Sequence, residues 1–380
     1  MKPTERLHEL GQSLWLDNIT RPMLGEGVLE GYIRDLSVTG LTSNPSIFDK
    51  AIGAGDAYDE QIAEEAPKAA AGEGVGATES EKIFFELALA DLRDACDLFA
   101  DVHRRTAGVD GFCSLEVSPL IADDAAATIE EAKALHAKGE RENLYIKIPG
   151  TQAGREAIEE SIFAGIPINV TLLFDDKQYL GAADAYMRGI ERRIEAGLDP
   201  NVASVASIFM SRWDVAVGKD VPEQLVNRLG IAIGGRAYRA YNELLESDRM
   251  RRLMNEGARP QRLLWASTGT KDPDASDTLY IEAFASPFTV NTMPEPTLKA
   301  FADHGQVTDL MPKDGGNSEQ VLSEFVEAGI DVTALASRLQ EEGKESFNKA
   351  WNEMLETIES KSGARRASPN SQRNSCAPPV

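Results

Sequence analysis

The sequence predicts an α/β protein folded as a (β/α)8 TIM barrel, with helices inserted between the second and third strands and a long helix near the C-terminal end. Eight short runs of apolar residues, many of which are β-branched, alternate with amphipathic segments along the chain. This order is typical of a parallel sheet. Eight strands with crossover helices favour a closed barrel, whose catalytic side chains lie where the strands end. A doubly wound open sheet is the structural alternative.

The eight strand candidates are separated by helical segments or turns. In chain order they cover residues 14–19, 38–43, 111–117, 144–149, 167–174, 201–210, 262–268 and 288–294. The segment at 125–139 has apolar residues at helical spacing and ends in glycine, as a helix commonly does. The repeated order of strand and helix therefore predicts parallel strands.

The connection between the second and third strands, residues 44–110, is longer than a barrel requires. It contains a glycine-rich stretch at 69–80, followed by a predicted long helix at 81–105. We expect this connection to form helical insertions.

The C-terminal part contains a second predicted long helix at 333–361. Six apolar side chains keep approximate helical spacing there and are expected to pack across the barrel: Leu335, Leu339, Phe347, Trp351, Leu355 and Ile358. Residues 362–380 have almost nothing to bury, which predicts a disordered tail. Residues 1–361 are therefore expected to form a single catalytic domain.

Composition narrows the possible partners. A formal net charge of -23 repels nucleic acid and acidic membrane surfaces, so neither is expected to bind. A small phosphorylated substrate is compatible with this charge if basic residues cluster locally. No apolar run is long enough to span a bilayer and the N-terminus is charged, which predicts a cytoplasmic protein.

The cysteines and glycines give no sign of a metal or a cofactor. Cys96, Cys113 and Cys376 lack metal-ligand spacing, so reduced thiols and no zinc site are expected. The run GIAIGG at 230–235 lacks the preceding strand of a dinucleotide-binding loop. No cofactor is therefore expected.

A lysine lies at the centre of the fourth strand candidate, LYIKIP. Residues two apart in a strand share a face, so Lys147 points with Tyr145 and away from Ile146 and Ile148, towards the barrel interior. One explanation is a structural salt bridge with Glu116 or Asp17. The other is catalytic, because burial disfavours the charged ammonium and a neutral amine can attack a ketone to form a Schiff base.

Polar residues on other strands could supply the rest of such chemistry. Glu116 and Thr171 fit proton transfer during imine formation, directly or through one water. Asp17, on a different strand, is the candidate base for a hydroxyl next to the bond that breaks. A supporting hydrogen bond or a helix cap is the alternative role for each of them taken alone.

Several motifs resemble those of transaldolases of the longer, monofunctional bacterial type. They are TSNPS (42–46), LEV (115–117), IKIPGT (146–151), INVTLLF (168–174), and Ser207 followed by Arg212, in this order along the chain. The resemblance extends from about residue 5 to residue 361. It implies a cofactor-free and metal-free barrel of the class I aldolase type, which transfers a dihydroxyacetone unit between sugar phosphates of the non-oxidative pentose phosphate pathway.

The resemblance also implies roles for individual residues. Lys147 matches the lysine that forms the Schiff base, Asp17 the general acid/base, and Glu116 with Thr171 the pair that handles the catalytic water. Further positions match residues that bind the substrate: Asn44 and Asn169 for the dihydroxyacetone hydroxyls, and Ser207 and Arg212 for phosphate. A turn before Pro45 is the alternative for Asn44, and packing of the side chain over the helix layer is the alternative for Arg212.

The phosphate site departs from the family pattern at the seventh strand. In many members a serine there is followed two residues later by an arginine, whereas here Ser267 is followed by Thr268, Gly269, Thr270 and Lys271. Lys271 is the candidate replacement, and it offers a point charge where arginine offers a planar fork.

The resemblance leaves the exact activity and the assembly open. The expected partners are sugar phosphates, and the expected assembly is a monomer or a homodimer. A class I aldolase that releases its product and a non-catalytic barrel that binds sugar phosphates are the alternative functions.

Overall fold

A computed structural model describes residues 1–218 and 220–366 of the chain. Eight parallel strands close into a barrel in which each strand pairs with the next along the chain and the eighth pairs with the first. The predicted barrel is therefore confirmed, and the open sheet is wrong. No helix among the described residues is long and apolar enough to cross a membrane.

The strands are short and almost entirely buried. They are β1 (Ser13–Asp17), β2 (Val38–Thr42), β3 (Cys113–Glu116), β4 (Leu144–Pro149), β5 (Ile168–Leu173), β6 (Ser204–Phe209), β7 (Arg262–Ala266) and β8 (Val290–Met293). All eight predicted strands are present, β4 with the predicted bounds. The others end within a few residues of the prediction, because flanking apolar residues belong to loops packed on the barrel.

Helices surround the barrel. They are α1 (Pro3–Glu9), α2 (Arg21–Gly25), α3 (Val28–Asp35), α4 (Pro45–Gly53), α5 (Asp59–Ala70), α6 (Glu79–Arg105), α7 (Ala125–Gly139), α8 (Gln152–Phe163), α9 (Asp176–Glu195), α10 (Ser211–Val217), α11 (Leu229–Glu246), α12 (Asp248–Asn255), α13 (Leu279–Ala283), α14 (Glu295–His304), α15 (Ser318–Glu327) and α16 (Val332–Arg366). The insertion between β2 and β3 forms α4, α5 and α6, as predicted. GIAIGG lies inside α11 and forms no loop.

An aromatic floor of Trp15, Phe112 and Tyr145 lies at the amino-terminal side of the barrel interior. Tyr145 stacks on Phe112 with ring centroids 4.1 Å apart and lies 6.0 Å from Trp15. The Trp15 indole donates to Asp110 over 2.7 Å. Gly40 makes room for it, since a Cβ at that position would lie 2.5 Å from the indole nitrogen. This apolar floor closes the interior below the polar residues of β1 and β4.

Helix α16 crosses the open, carboxyl-terminal end of the barrel. The Gln340 amide donates to the carbonyl of Leu172 at the end of β5 over 2.9 Å, and Phe347 lies against Phe209 of β6. Packing across the barrel is therefore confirmed. The helix runs to Arg366, five residues beyond its predicted end at 361, and the rest of the predicted tail lies outside the described residues.

A cluster of buried polar groups fixes the segment that follows β3. The Ser118 amide donates to Glu131 of α7 over 2.5 Å, and its hydroxyl donates to Glu81 of α6 over 3.3 Å. Glu81 also accepts the indole N–H of Trp351 of α16 over 3.3 Å. Burial, with a smaller contribution from the charge of Glu81, raises the pKa of Glu131 to about 7.

Glu131→Gln should stabilise the protein above neutral pH. Because the folded pKa lies above the unfolded one, the stability linked to protonated Glu131 is present at acidic pH and is lost as pH rises to about 7. Between pH 5 and pH 8, the free energy of unfolding of the variant should rise relative to that of the parent by on the order of 2 kcal/mol, measured by urea unfolding. Glu130→Gln, on the exposed side of α7, is the matched control. Equal pH dependence in both variants would contradict this account.

Candidate active site

Three polar side chains form a continuous row across β3, β4 and β5. Glu116 pairs in register with Lys147, and Lys147 with Asn169. All three are buried, with relative exposures of 5%, 6% and 0%. Because Tyr145 precedes Lys147 by two residues and shares its face, the row lies directly above the aromatic floor. The inward orientation predicted for Lys147 is what the structure has.

The Lys147 amine has two hydrogen-bond partners. Its Nζ donates to the backbone carbonyl of Ser43 over 2.9 Å and to Oε2 of Glu116 over 3.4 Å. The salt bridge considered from the sequence therefore exists, with Glu116 as its partner. An ammonium has three N–H donors, so one remains for a ligand.

Two carboxylates flank this amine in different surroundings. Burial raises the pKa of Glu116, and the positive charge of Lys147 opposes that rise. Burial also raises the pKa of Asp17, opposed by Lys147, by a hydrogen bond from Thr42 and by Lys271. Asp17 accepts that bond over 2.8 Å and is partly accessible, whereas Glu116 is enclosed. Both carboxylates are thus suited to gaining and losing a proton nearer neutral pH than ordinary ones.

Thr171 presents a buried hydroxyl with no hydrogen-bond partner in the described part of the chain. It lies on the face of Asn169, where the pairing of β5 with β6 shifts register between Val170 and Leu173. The next residue, Leu172, adopts a left-handed φ of 57°, a costly conformation for a branched side chain. A buried unpaired hydroxyl calls for an explanation, and a bound water or substrate oxygen would supply one.

Asn169 is held by a serine on each side. The Ser207 hydroxyl donates to Oδ1 of Asn169 over 2.7 Å, and the side-chain NH2 group of Asn169 donates to the Ser114 hydroxyl over 3.1 Å. Ser207 is only 3% exposed, so the structure places it beside Asn169, inside the barrel. Its predicted phosphate contact stays a prediction, and its geometry fits a hydroxyl of the substrate at least as well.

Asn44 follows β2 and caps helix α4. Its Oδ1 accepts the amide of Ile47 over 3.1 Å, so its local role is a helix cap, where the sequence suggested a turn before Pro45. The NH2 group of its side chain has no protein partner within the described residues. A cap and a substrate contact are therefore compatible in one side chain.

Two cations lie at the rim of the barrel. The Arg212 guanidinium lies 5.4 Å above the Phe209 ring and has no hydrogen bond within the described ranges. Burial lowers its pKa, and the negative charge of nearby Glu342 opposes that change. Lys271 is exposed and lines a cavity of about 200 Å³ with Ser211. Lys271 is also near enough to act electrostatically on Asp17. Both cations are thus placed to meet an anionic group of a ligand that enters the barrel.

Ser267 has a strained backbone and a serine partner. It adopts a left-handed φ of 55°, and its hydroxyl lies 2.9 Å from that of Ser211. The Ser211 amide donates to the Ser267 carbonyl over 3.0 Å. Ser211 therefore joins the predicted site residues at the rim.

Sequence reasoning missed several residues that the structure adds. Thr42 contacts Asp17, the Ser43 carbonyl contacts Lys147, and Ser114 contacts Asn169. Thr42 and Ser43 lie in the TSNPS motif, and Ser114 shares the face of Glu116, so their positions were visible but their partners were not. Contacts between strands depend on register, which the sequence of one strand does not state.

The described residues contain no group of three or more His, Cys, Asp or Glu side chains arranged to hold a metal ion. Cys96 and Cys113 are free and buried. Cys376 lies outside the described residues.

Comparison with known proteins gives one consistent result. The profile of the Transaldolase/Fructose-6-phosphate aldolase family matches residues 14–358. A protein named Transaldolase from Parafrankia sp. (strain EAN1pec) is 42% identical over 372 residues, which cover 96% of this chain and 99% of the relative. Proteins of the same name from Arthrobacter sp. (strain FB24) and Thiobacillus denitrificans are 42% and 39% identical and cover 96% and 94% of the chain, and 99% and 100% of those relatives.

Asp17→Asn should raise the stability of the protein at neutral pH. Because burial raises the folded pKa of Asp17, the charged form costs stability, and this cost grows as pH rises from the unfolded value of 3.8 through the folded value. We expect the free energy of unfolding to be higher than that of the parent at pH 7, with a difference that shrinks towards pH 4, measured by urea unfolding.

Asp35→Asn is the control for this prediction. Asp35 is exposed, and its hydrogen bond with Arg34 lowers its pKa, so its replacement should bring no gain. A loss of stability in Asp17→Asn at pH 7 would contradict the prediction.

Proposed function

The chain belongs to the Transaldolase/Fructose-6-phosphate aldolase family, and we propose that it is a transaldolase that moves a dihydroxyacetone unit between sugar phosphates through a Schiff base on Lys147. The main observation behind this proposal is that the amine of Lys147 is enclosed and lies within hydrogen-bond reach of Glu116, above an apolar floor. Near-full-length similarity to proteins named Transaldolase supports the transfer reaction.

The first stage forms the covalent intermediate. The neutral amine of Lys147 attacks the C2 ketone of the donor sugar and gives a carbinolamine. Glu116, whose pKa burial raises so that it keeps its proton nearer to neutral pH, delivers that proton to the carbinolamine oxygen, and water leaves as the iminium forms. The unpaired hydroxyl of Thr171 is available to hold that water.

The second stage breaks the carbon–carbon bond. Asp17 accepts the proton of the C4 hydroxyl, the C3–C4 electron pair moves into the iminium, and an aldose phosphate leaves. The dihydroxyacetone unit remains on Lys147 as a neutral enamine. Glu116 lies on the strand next to that of Lys147, whereas Asp17 lies on β1, three strands away in the barrel, so the two proton-transfer groups can act on different atoms of the substrate.

The third stage reverses the second with another acceptor. The enamine carbon attacks the aldehyde of the incoming aldose phosphate, and protonated Asp17 returns its proton to the new hydroxyl. Hydrolysis of the iminium, assisted by Glu116 and the water near Thr171, releases the longer ketose phosphate and restores the amine.

The substrates proposed are sugar phosphates of the non-oxidative pentose phosphate pathway, in the cytoplasm. Sedoheptulose 7-phosphate or fructose 6-phosphate is the donor, and glyceraldehyde 3-phosphate or erythrose 4-phosphate is the acceptor. Asn44 and Asn169 are proposed to bind the hydroxyls of the dihydroxyacetone unit, with Ser207 beside them. Arg212, Ser267 and Lys271 are proposed to bind phosphate at the rim.

An aldolase that releases free dihydroxyacetone is the second candidate, because the family description also names fructose-6-phosphate aldolase. The two activities share every step up to the enamine. They differ in whether an aldose or a proton is added to it. Product analysis therefore separates them.

Borohydride reduction in the presence of fructose 6-phosphate should attach dihydroxyacetone covalently to the peptide that contains Lys147. Lys147→Ala should abolish both the adduct and turnover, because no other amine occupies the row. Peptide mass spectrometry locates the adduct. Lys133→Ala, which changes a lysine on α7 that pairs with Glu130, should behave as the parent.

The acceptor then decides between the two candidates. Sedoheptulose 7-phosphate should form when unreduced enzyme receives fructose 6-phosphate and erythrose 4-phosphate. Free dihydroxyacetone as the main product would assign an aldolase, and an adduct on another lysine, or none, would refute the mechanism.

Lys271→Ala should raise KM for phosphorylated acceptors about tenfold or more while changing KM for non-phosphorylated analogues little, since one charge-assisted contact to phosphate is lost. Steady-state kinetics with glyceraldehyde 3-phosphate and with glyceraldehyde makes the comparison. Lys299→Ala, which removes an exposed lysine paired with Glu295, is the control. An equal change for both acceptors would remove Lys271 from the phosphate site.

A further inference from the structure

A pair of threonine hydroxyls lies behind Asp17. Thr42 of β2 contacts Asp17 of β1 on one side and Thr292 of β8 on the other, with oxygen–oxygen distances of 2.8 and 2.7 Å. Both threonines are buried, with 3% and 4% of their surface exposed. Neither hydroxyl has a role in the transfer reaction as described so far.

Counting protons fixes the direction of these two bonds. A threonine hydroxyl has one proton to donate and can accept two. An ionised carboxylate only accepts, so Thr42 must donate its proton to Asp17. The contact between the threonines then requires Thr292 to donate to Thr42. The chain of donation runs from Thr292 through Thr42 to Asp17 while Asp17 is charged.

The strands hold this chain in place. Asp17 pairs in register with Thr42, and Trp15 pairs with Thr292. All the groups project from neighbouring strands of a closed barrel, so their separation is set by the sheet itself. Rigid elements with buried hydroxyls provide a fixed dipole that needs no rearrangement when charge appears.

We propose that Thr42, with Thr292 as its own donor, is a positioning residue that aims the Asp17 carboxylate and sets the pH range in which it accepts the proton of the substrate hydroxyl. Asp17 accepts a proton when the carbon–carbon bond breaks and returns it when the new bond forms. The threonine chain favours the charged form and thereby opposes the burial that favours the protonated one. This inference rests on the proposed function.

Other charges face Asp17 and act on it as well. Lys147 of β4 and Lys271 after β7 favour its charged form, and the negative charges of Asp17 and Glu116 oppose each other. None of these groups is altered when a threonine hydroxyl is removed. A change in the pH range on removing the hydroxyl is therefore assignable to the threonine chain.

Thr42→Val tests the proposal because it removes the hydroxyl and keeps the branched shape. The acidic limb of the pH profile of kcat for the transfer reaction should move upward by about one unit, the amount expected for one hydrogen bond to a charged group. Thr42→Ser should restore the parent profile. Thr292→Val should move the limb in the same direction by less, since Thr42 still donates to Asp17.

Two controls separate this role from a structural one. Thr39→Val removes a buried hydroxyl on the same strand that donates to the backbone of Leu14 and does not touch Asp17, and it should leave the limb where it is. When free dihydroxyacetone is the ligand, borohydride trapping requires no carbon–carbon bond cleavage, so its pH dependence should be the same in Thr42→Val and in the parent. Trapping of free dihydroxyacetone depends on the amine of Lys147 and on proton transfer by Glu116, and it needs no proton transfer by Asp17.

The outcomes are distinct. An upward shift of the cleavage limb with unchanged trapping supports the proposal. An unshifted limb in Thr42→Val, or a shift as large in Thr39→Val, would overturn it and leave the threonines as ties between strands. Failure of the parent enzyme to trap dihydroxyacetone would instead overturn the Schiff-base function itself.

Discussion

The enclosure of one amine governs the rest of this structure. Lys147 lies in the middle of a barrel strand with 6% of its surface exposed, above the aromatic floor of Trp15, Phe112 and Tyr145. A buried cation is costly unless it is paired and hydrogen-bonded. Glu116 and the Ser43 carbonyl meet that requirement from the two preceding strands. The closed barrel makes the arrangement possible, since it brings three strand ends around one nitrogen without an exposed sheet edge.

The two carboxylates beside Lys147 have different surroundings, and different tasks are proposed for them on that ground. Glu116 is enclosed and accepts a hydrogen bond from the amine. This position suits it to proton transfer with the carbinolamine oxygen, which leaves when the imine forms and is added again when it is hydrolysed. Asp17 reaches the amine only through its charge and bonds to a hydroxyl, which leaves it free to face the substrate. The positive charge of Lys147 thus acts on both carboxylates, but only Glu116 is hydrogen-bonded to it. Helix α16 completes the arrangement by lying over the open end of the barrel near Arg212.

Much of this could be anticipated from the sequence. Apolar runs located all eight strands, and the alternation of faces placed Lys147, Glu116 and Asn169 inside. The pattern of apolar and polar residues could not supply the register between neighbouring strands. Thr42 contacts Asp17, 25 positions away in the chain, and Thr292, 250 positions away. The bond from Ser207 to Asn169 places an expected phosphate-binding residue beside an expected hydroxyl-binding one. The end of α16 was also missed, because charged residues such as Arg365 can extend a helix as readily as they can form a tail.

The irregular end of β5 carries a lesson for protein engineering. Leu172 keeps a left-handed backbone while its side chain fits beneath α16 at Gly343, where an added methyl group would lie 3.0 Å from it. Glycine would remove the steric penalty of this backbone, yet Leu172 is a buried side chain, with 2% of its surface exposed, and its loss would leave a cavity. The exchange would therefore weaken the barrel twice, by removing the packing beneath α16 and by freeing the peptide next to Thr171, so the strained leucine is the more stable choice.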